Sequence, residues 1–175
     1  DYDEGVISPG GVGYDINCGV RLMVTNLEEG DVRPKIKELI DTIFTQVPAG
    51  LGSRRKDFTI THSDLDRIAV EGARYIIERF GLGWPEDPKH IEEEGCLEGA
   101  DPSAVSPTAK NRGAAQVGTL GSGNHFLEVQ RVDKIFDERA AKRMGITHEG
   151  QITVLVHTGS RGFGHQICSD YLRVM

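Results

Sequence analysis

Two residues with the chemistry of metal ligands or nucleophiles, Asp15 and Cys18, stand three positions apart in the glycine-rich stretch SPGGVGYDINCGVRL. Two imidazoles occupy similar settings further on: His125 in GTLGSGNHFLEVQ and His157 at the head of HTGSRGFGHQ. Each residue taken singly has an ordinary structural use. An Asp in such a loop closes an Asx turn, a Cys packs as a small hydrophobe, and a His sits satisfied in a core. Taken together, four ligand types gathered at three glycine clusters exceed what turn chemistry requires. Metal binding needs donors converging from fixed backbone positions, and junctions of loop and strand supply such positions. Thiolate with imidazole suggests zinc, while the added carboxylate keeps Mn²⁺ or Fe²⁺ open. His62, His90 and His148 lack that context and are expected at the surface. Cys96 and Cys168 are expected to be structural.

The third cluster also carries an arginine. In HTGSRGFGHQ, consecutive backbone N–H groups, the fork of Arg161 and a helix beginning near Gly164 would favour a phosphate. The spacing is not that of a Walker A loop. Arg54, Arg55 and Lys56, with Lys110 and Arg112, could extend such a site. Two chemistries compete. A cysteine hydrolase would use Cys18 as nucleophile, His125 or His157 as base and Asn124 or Asp15 as orienter. A metal-dependent phosphoryl or nucleotidyl transferase would use the same Cys and His residues as ligands, with Arg161 on phosphate.

These residues need a scaffold. Val20, Leu22 and Val24 alternate with Arg21, Met23 and Thr25, which predicts a strand buried on at least one face. Ile36, Leu39, Ile40, Ile43, Phe44 and Val47 form the stripe of a helix with Pro34 in its first turn. A second helix is predicted from an N-cap at Ser63 through Phe80, closed by Gly81. Both helices are expected to face a core. The segment 82–99 is acidic and punctuated by Gly and Pro, with a helical turn at 91–94, and a helix follows over 107–116. Strands are predicted at 126–130 and 152–156, the latter an apolar run of a fully covered kind, with a helix over 134–143 capped by Asp133 between them. Strands and helices interleave without regular βαβ spacing, so the expected class is α+β.

Composition narrows the function. The 175 residues carry a net charge of −7 and 38% hydrophobic residues, ordinary for a globular protein but wrong for a generally basic nucleic-acid coat. Any RNA or nucleotide contact must be local. Three cysteines at wide spacing argue for a reducing, cytoplasmic setting rather than a disulfide framework. No apolar run approaches the roughly 18 residues of a membrane span, so no membrane partner is expected. The chain opens without Met and stops inside a helical pattern, as expected of a fragment.

The three glycine-rich motifs, in this order, resemble the RtcB family of RNA ligases, and the resemblance extends through EGADPSAVSPTAKNRGAAQVGTLGSGNHFLEVQRVDKIFD. It implies a GTP- and Mn²⁺-dependent ligase joining RNA with a 2′,3′-cyclic phosphate or 3′-phosphate to RNA with a 5′-hydroxyl, in tRNA splicing and RNA repair. By that resemblance Cys18 would bridge two manganese ions. Asp15 and His125 would complete one ligand set, and His157 would bind the other ion. Asn124, His125, Phe126, Leu127 and Glu128 would form the GTP segment, with Phe126 and Glu128 toward the guanine. Arg161 would hold an RNA phosphate. The implied partners are RNA, such as tRNA halves, GTP and an accessory activating protein. The implied fold is an α+β arrangement of packed sheets flanked by helices, of which this chain would be the central part of one catalytic domain. The histidine that carries the guanylate in the family falls in a region with no counterpart here, so the chain alone is expected to be inactive. One local difficulty follows: in a regular strand from 124 to 130, His125 and Glu128 would face opposite sides, so a shared site requires an irregular start or a bulge there.

Overall fold

The computed structural model describes residues 3–175, and they fall into two compact units. A sheet unit comprises Cys18–Ser53 and Gly118–Gly159. A helical unit comprises the residues up to Asn17, Arg54–Val117 and Ser160–Met175. Helices and strands both contribute, so the α+β expectation holds. Among the described residues no helix is long and apolar enough to cross a membrane.

The sheet unit is built on three antiparallel strands, β1 (Gly19–Glu28), β2 (Phe126–Arg131) and β3 (Gln151–Thr158), in the order β1-β3-β2. The apolar run that predicted a covered strand is the central one, flanked on both sides. Its buried end is nonetheless mostly polar: Gln151 and Thr153 are buried beside Ile152. Gln151 is satisfied there, donating to the carbonyls of Thr25 and Gly145 and accepting from the Thr147 N–H. Such pairing removes the desolvation penalty of a buried amide. The register slips between Val24 and Glu28 of β1, where Thr25 turns its hydroxyl onto the Ile152 carbonyl.

Two burial expectations fail in this unit. Val20, Leu22 and Met23 of β1 are 49, 44 and 47% exposed, so neither face of that strand is covered over this stretch. The short helix Glu29–Val32 (α2) leads through a 3-10 turn containing Pro34 into α3 (Ile36–Gln46), which has no buried residue, and Phe44 is 84% exposed. Periodicity defined α3 correctly but could not supply the layer that covers its stripe. A further helix, Glu138–Arg143, is shorter than predicted and is capped by Asp137, which accepts from the N–H groups of Arg139 and Ala140. Asp133 instead pairs with Arg131.

In the helical unit Pro9–Val12 form a single turn (α1), with Ser8 accepting from the Gly11 N–H. The helix predicted from Ser63 to Phe80 is two helices, His62–Glu71 and Ala73–Phe80, broken at Gly72. Gly72 has φ +63°, and a Cβ there would run into the backbone of Gly95, so the close approach requires glycine. The N-cap is Thr61, not Ser63: Thr61 accepts from the Asp64 N–H, and Asp64 reaches back to the Thr61 N–H, a reciprocal capping box. Gly81 does close the second helix in the left-handed conformation. The predicted turn at 91–94 is a 3-10 turn over Glu92–Gly95. Pro107–Ala114 then crosses Arg161–Leu172, and Gly113 makes the crossing close, since a Cβ would lie 3.0 Å from Phe163 Cβ. Ile60, Leu65, Tyr75, Ala109 and Cys168 are buried in this unit.

Candidate metal centre

The order of the sheet brings three of the sequence-selected residues together. Gly19 of β1 pairs with Thr158 of β3, and Phe126 of β2 pairs with His157. Cys18 and His125 are the residues immediately before the two edge strands, so both arrive at the end of β3 that carries His157. Cys18 Sγ lies 3.1 Å from His157 Nε2 and 3.5 Å from His125 Nε2. The two imidazoles meet edge to face, with ring centroids 5.5 Å apart. Phe126 lies against His157 in the same manner at 5.3 Å. Cys18 is exposed, whereas His125 and His157 are half-buried.

The difficulty over His125 and Glu128 is resolved by where β2 begins. The strand starts at Phe126, so His125 is outside the pleat and free of its alternation. Within the strand, Phe126 and Glu128 share a face, and their pairing partners, His157 and Leu155, place that face on the same side as His157. Phe126 and Glu128 are exposed and Leu127, on the opposite face, is half-buried. Glu128 accepts from the Gln130 amide at 2.8 Å. Asn124 is an exposed residue of the preceding turn.

Each of the two sulfur–nitrogen pairs fits the donors of a transition-metal ion. Thiolate and imidazole donors of one ion, at bond lengths of about 2.0–2.3 Å, stand roughly 3.1–3.6 Å apart for angles between right and tetrahedral. The sulfur-nitrogen distances of 3.1 and 3.5 Å fall in that interval.

Asp15 and Arg161 belong to the helical unit. Asp15 is half-buried and accepts from the Ser160 hydroxyl at 3.3 Å. The glycine stretch around it packs on the last helix: Cys168 Sγ lies 3.5 Å from the Pro9 carbonyl, the Tyr14 ring is 4.8 Å from that of His165, and a Cβ on Gly164 would come 3.1 Å from Ile16. Arg161, not Gly164, begins that helix, because Ser160 accepts the turn's first bonds, from the Phe163 and Gly164 N–H groups. Arg161 has φ +55°, the left-handed region, and so does Asn17, the residue before Cys18, at +57°. Sequence reasoning missed Ser160 and Gln116, which accepts from the Gly162 N–H at 2.8 Å. A lone Ser and a lone Gln carry no spacing signal that would have found them.

The other basic candidates divide. Lys110 is committed to Asp66 at 2.7 Å and Arg55 to Asp57, so neither is a spare cation. Arg112 donates to Gln166 at 2.8 Å. His62, His90 and His148 are exposed, as expected.

A three-stranded antiparallel sheet with a thiol and two imidazoles at one end defines a candidate metalloprotein site. The sequence comparisons supply its family. The model of the family described as tRNA-splicing ligase RtcB matches residues 1–175, and the chain belongs to that family. It is 60% identical over 175 residues to the tRNA-splicing ligase RtcB of Thermococcus kodakarensis, covering all of this chain and 36% of that one. The RNA-splicing ligase RtcB homolog 1 of Entamoeba dispar is 52% identical over 172 residues, 98% of this chain and 32% of that one. The tRNA-splicing ligase RtcB of Pyrococcus furiosus is 59% identical over 159 residues, 91% of this chain and 16% of that one. The chain thus spans about a third or less of the length of these relatives.

Proposed function

We propose that this chain supplies the metal-holding centre of an RNA ligase acting in tRNA splicing. The observation that carries the reading is the placement of Cys18 Sγ within 3.1 and 3.5 Å of two imidazole Nε2 atoms at one sheet end, in a chain of the RtcB family. The metal would be Mn²⁺, with Cys18, His125 and His157 as candidate ligands, and the family resemblance adds Asp15, three residues before Cys18 in the sequence. A divalent ion there would neutralise charge that develops on phosphate during phosphoryl or nucleotidyl transfer. The chain's own residues do the rest. Cys18 gives a thiolate that two ions could share, and the imidazoles donate through Nε2. Exposed Phe126 and Glu128 offer a guanine a ring edge and a carboxylate acceptor for its N–H groups. Arg161 presents a guanidinium fork to an RNA phosphate carrying the cyclic or terminal 3′ end. GTP, RNA, an accessory activating protein and a cytoplasmic setting belong to this proposal, as does the view that the chain is part of one catalytic domain.

A thiol 3.1 Å from an imidazole also fits the nucleophile and base of a cysteine hydrolase. The second imidazole on the same sulfur favours the metal reading, because a nucleophile needs only one base. Alkylation of Cys18 by iodoacetamide separates the two. Mn²⁺ should protect the thiol, and equal alkylation with and without Mn²⁺ would overturn the metal reading. In a polypeptide of the relatives' full length, Cys18→Ala should abolish Mn²⁺- and GTP-dependent joining of a 3′-phosphate RNA to a 5′-hydroxyl RNA.

A further inference from the structure

The run Arg54-Arg55-Lys56 is not used by the metal centre. It stands out in a chain of net charge −7 as its one stretch of three consecutive basic residues. Arg54 and Arg55 head a cleft of about 390 Å³ within the helical unit, walled by Phe58, Thr61, His62 and Asn111 among others. That volume is of the size that holds a small ligand.

The charges around the cleft are unevenly committed. Asp57 is taken by Arg55, whose guanidinium also lies over the Phe58 ring at 5.2 Å. Asp64 is taken by Thr61 and Tyr75. His62 Nε2 is paired with Asn111 Oδ1 at 2.9 Å, so the Asn111 oxygen is engaged within the cleft wall. Arg54 and Lys56 are exposed and have no acid within ion-pair distance among the described residues. A cleft with no carboxylate among the described residues of its wall, whose neighbour Asp57 is charge-paired and whose Arg54 guanidinium is spare, favours an anion. Its mixed wall, with Phe58 and Ile60 beside Thr61, His62 and Asn111, suits a nucleotide better than a bare ion.

We propose that this cleft is a subsite for the phosphate backbone of single-stranded RNA, held by Arg54 with Lys56 beside it and separate from the phosphate role given to Arg161. The inference rests on the RNA-ligase reading for its choice of polymer. The contacts are electrostatic and independent of sequence, so their function is to retain an RNA strand rather than to read it.

The test measures binding of a fluorescein-labelled oligouridylate 20-mer to the chain by anisotropy, in EDTA, across a salt series. EDTA keeps metal loading out of the measurement, so the fate of the metal centre does not affect the result. Each phosphate contact removed from a single strand lowers the slope of log K against log salt by roughly 0.7. Arg54→Ala with Lys56→Ala should therefore reduce the slope by about 1.4, and Arg54→Lys with Lys56→Arg should restore it. Lys142→Ala with Arg143→Ala should leave the slope unchanged. Neither Arg54 nor Lys56 has a partner to lose, so the melting temperature should stay constant. An unchanged slope in the Arg54/Lys56 variant, an equal fall in the Lys142/Arg143 variant, or no RNA binding by the unaltered chain would overturn the subsite. Displacement of the RNA by polyglutamate with the same slope would also overturn it, by assigning the cleft to an acidic polypeptide. Loss of the slope only in Arg161→Ala would overturn the subsite and leave the RNA reading intact. Retention of the subsite slope beside absent ligation in the full-length polypeptide would reject the ligase reading alone.

Discussion

Arg161 occupies a backbone conformation that L residues avoid, and the consequence is measurable. With φ +55° it opens the last helix from the left-handed region. Placing a residue with a Cβ there costs roughly 1–2 kcal/mol, while glycine adopts it freely and loses about 0.5–1 kcal/mol of extra chain entropy on folding. Arg161→Ala and Arg161→Gly remove the same side-chain contacts, so their difference isolates the backbone cost. The Gly variant should be the more stable of the two by about 0.5–1 kcal/mol, equivalent to roughly 1–4 °C in melting temperature for a chain of this size. Thermal melts followed by circular dichroism give the comparison directly. Both variants should bind a 3′-phosphate RNA more weakly than the parent chain, because each lacks the guanidinium. That combination would mean that strain is retained at position 161 for the sake of the side chain. Equal melting temperatures for the two variants, or a less stable Gly variant, would refute the reasoning about the backbone. Undiminished phosphate binding would refute the role of the fork.

Three other outcomes are expected. Cys18→Ala should weaken Mn²⁺ binding, read by calorimetry or paramagnetic broadening of imidazole resonances, by more than the roughly 10–100-fold typical of losing a residue that merely supports a ligand; unchanged affinity would remove Cys18 from the ligand set. Thr61→Ala should destabilise the helical unit by about 1 kcal/mol through loss of the capping box, and a melt indistinguishable from the parent would contradict that. Asp64 is held at a pKa of about 2, below the ordinary 3.8, by the Thr61 hydroxyl first, then by the Tyr75 hydroxyl and the Thr61 N–H. Because the folded value is the lower one, its contribution is complete above about pH 4 and is lost as pH falls toward 2. Urea midpoints measured across that range should fall less steeply for Asp64→Asn than for the parent.

Much of the candidate centre could be read from the chain. Asp15, Cys18, His125 and His157 were conspicuous because ligand-type side chains sat at glycine-rich junctions with strands, and the strands themselves showed alternation or a continuous apolar run. These are local properties, set by which side chains a two-residue or 3.6-residue period places together and by where glycine permits a turn. The same locality explains the left-handed cap at Gly81 and the helix starting at Pro107. It also explains why Ser63 reads as a cap two residues away from Thr61: both are hydroxyl residues before an apolar stripe, and only the reciprocal bond with Asp64 separates them.

Sequence alone determined that this chain has strands and helices, where most of them lie, and which junctions hold ligand-type side chains. Tertiary structure decided what meets what. The order β1-β3-β2 puts Cys18 and His125 on either side of His157, although they are separated from it by 139 and 32 positions and no period links them. It also decided which stripes are covered. The apolar faces of β1 and α3 were legible as faces, but burial requires a second layer, and a periodic pattern states only that such a layer would be favourable. Lys110 and Arg55 read as spare cations until folding set Asp66 beside one and fixed the fork of the other on Asp57. Charge is a property of the residue, whereas its availability to a ligand depends on neighbours that only the folded chain supplies.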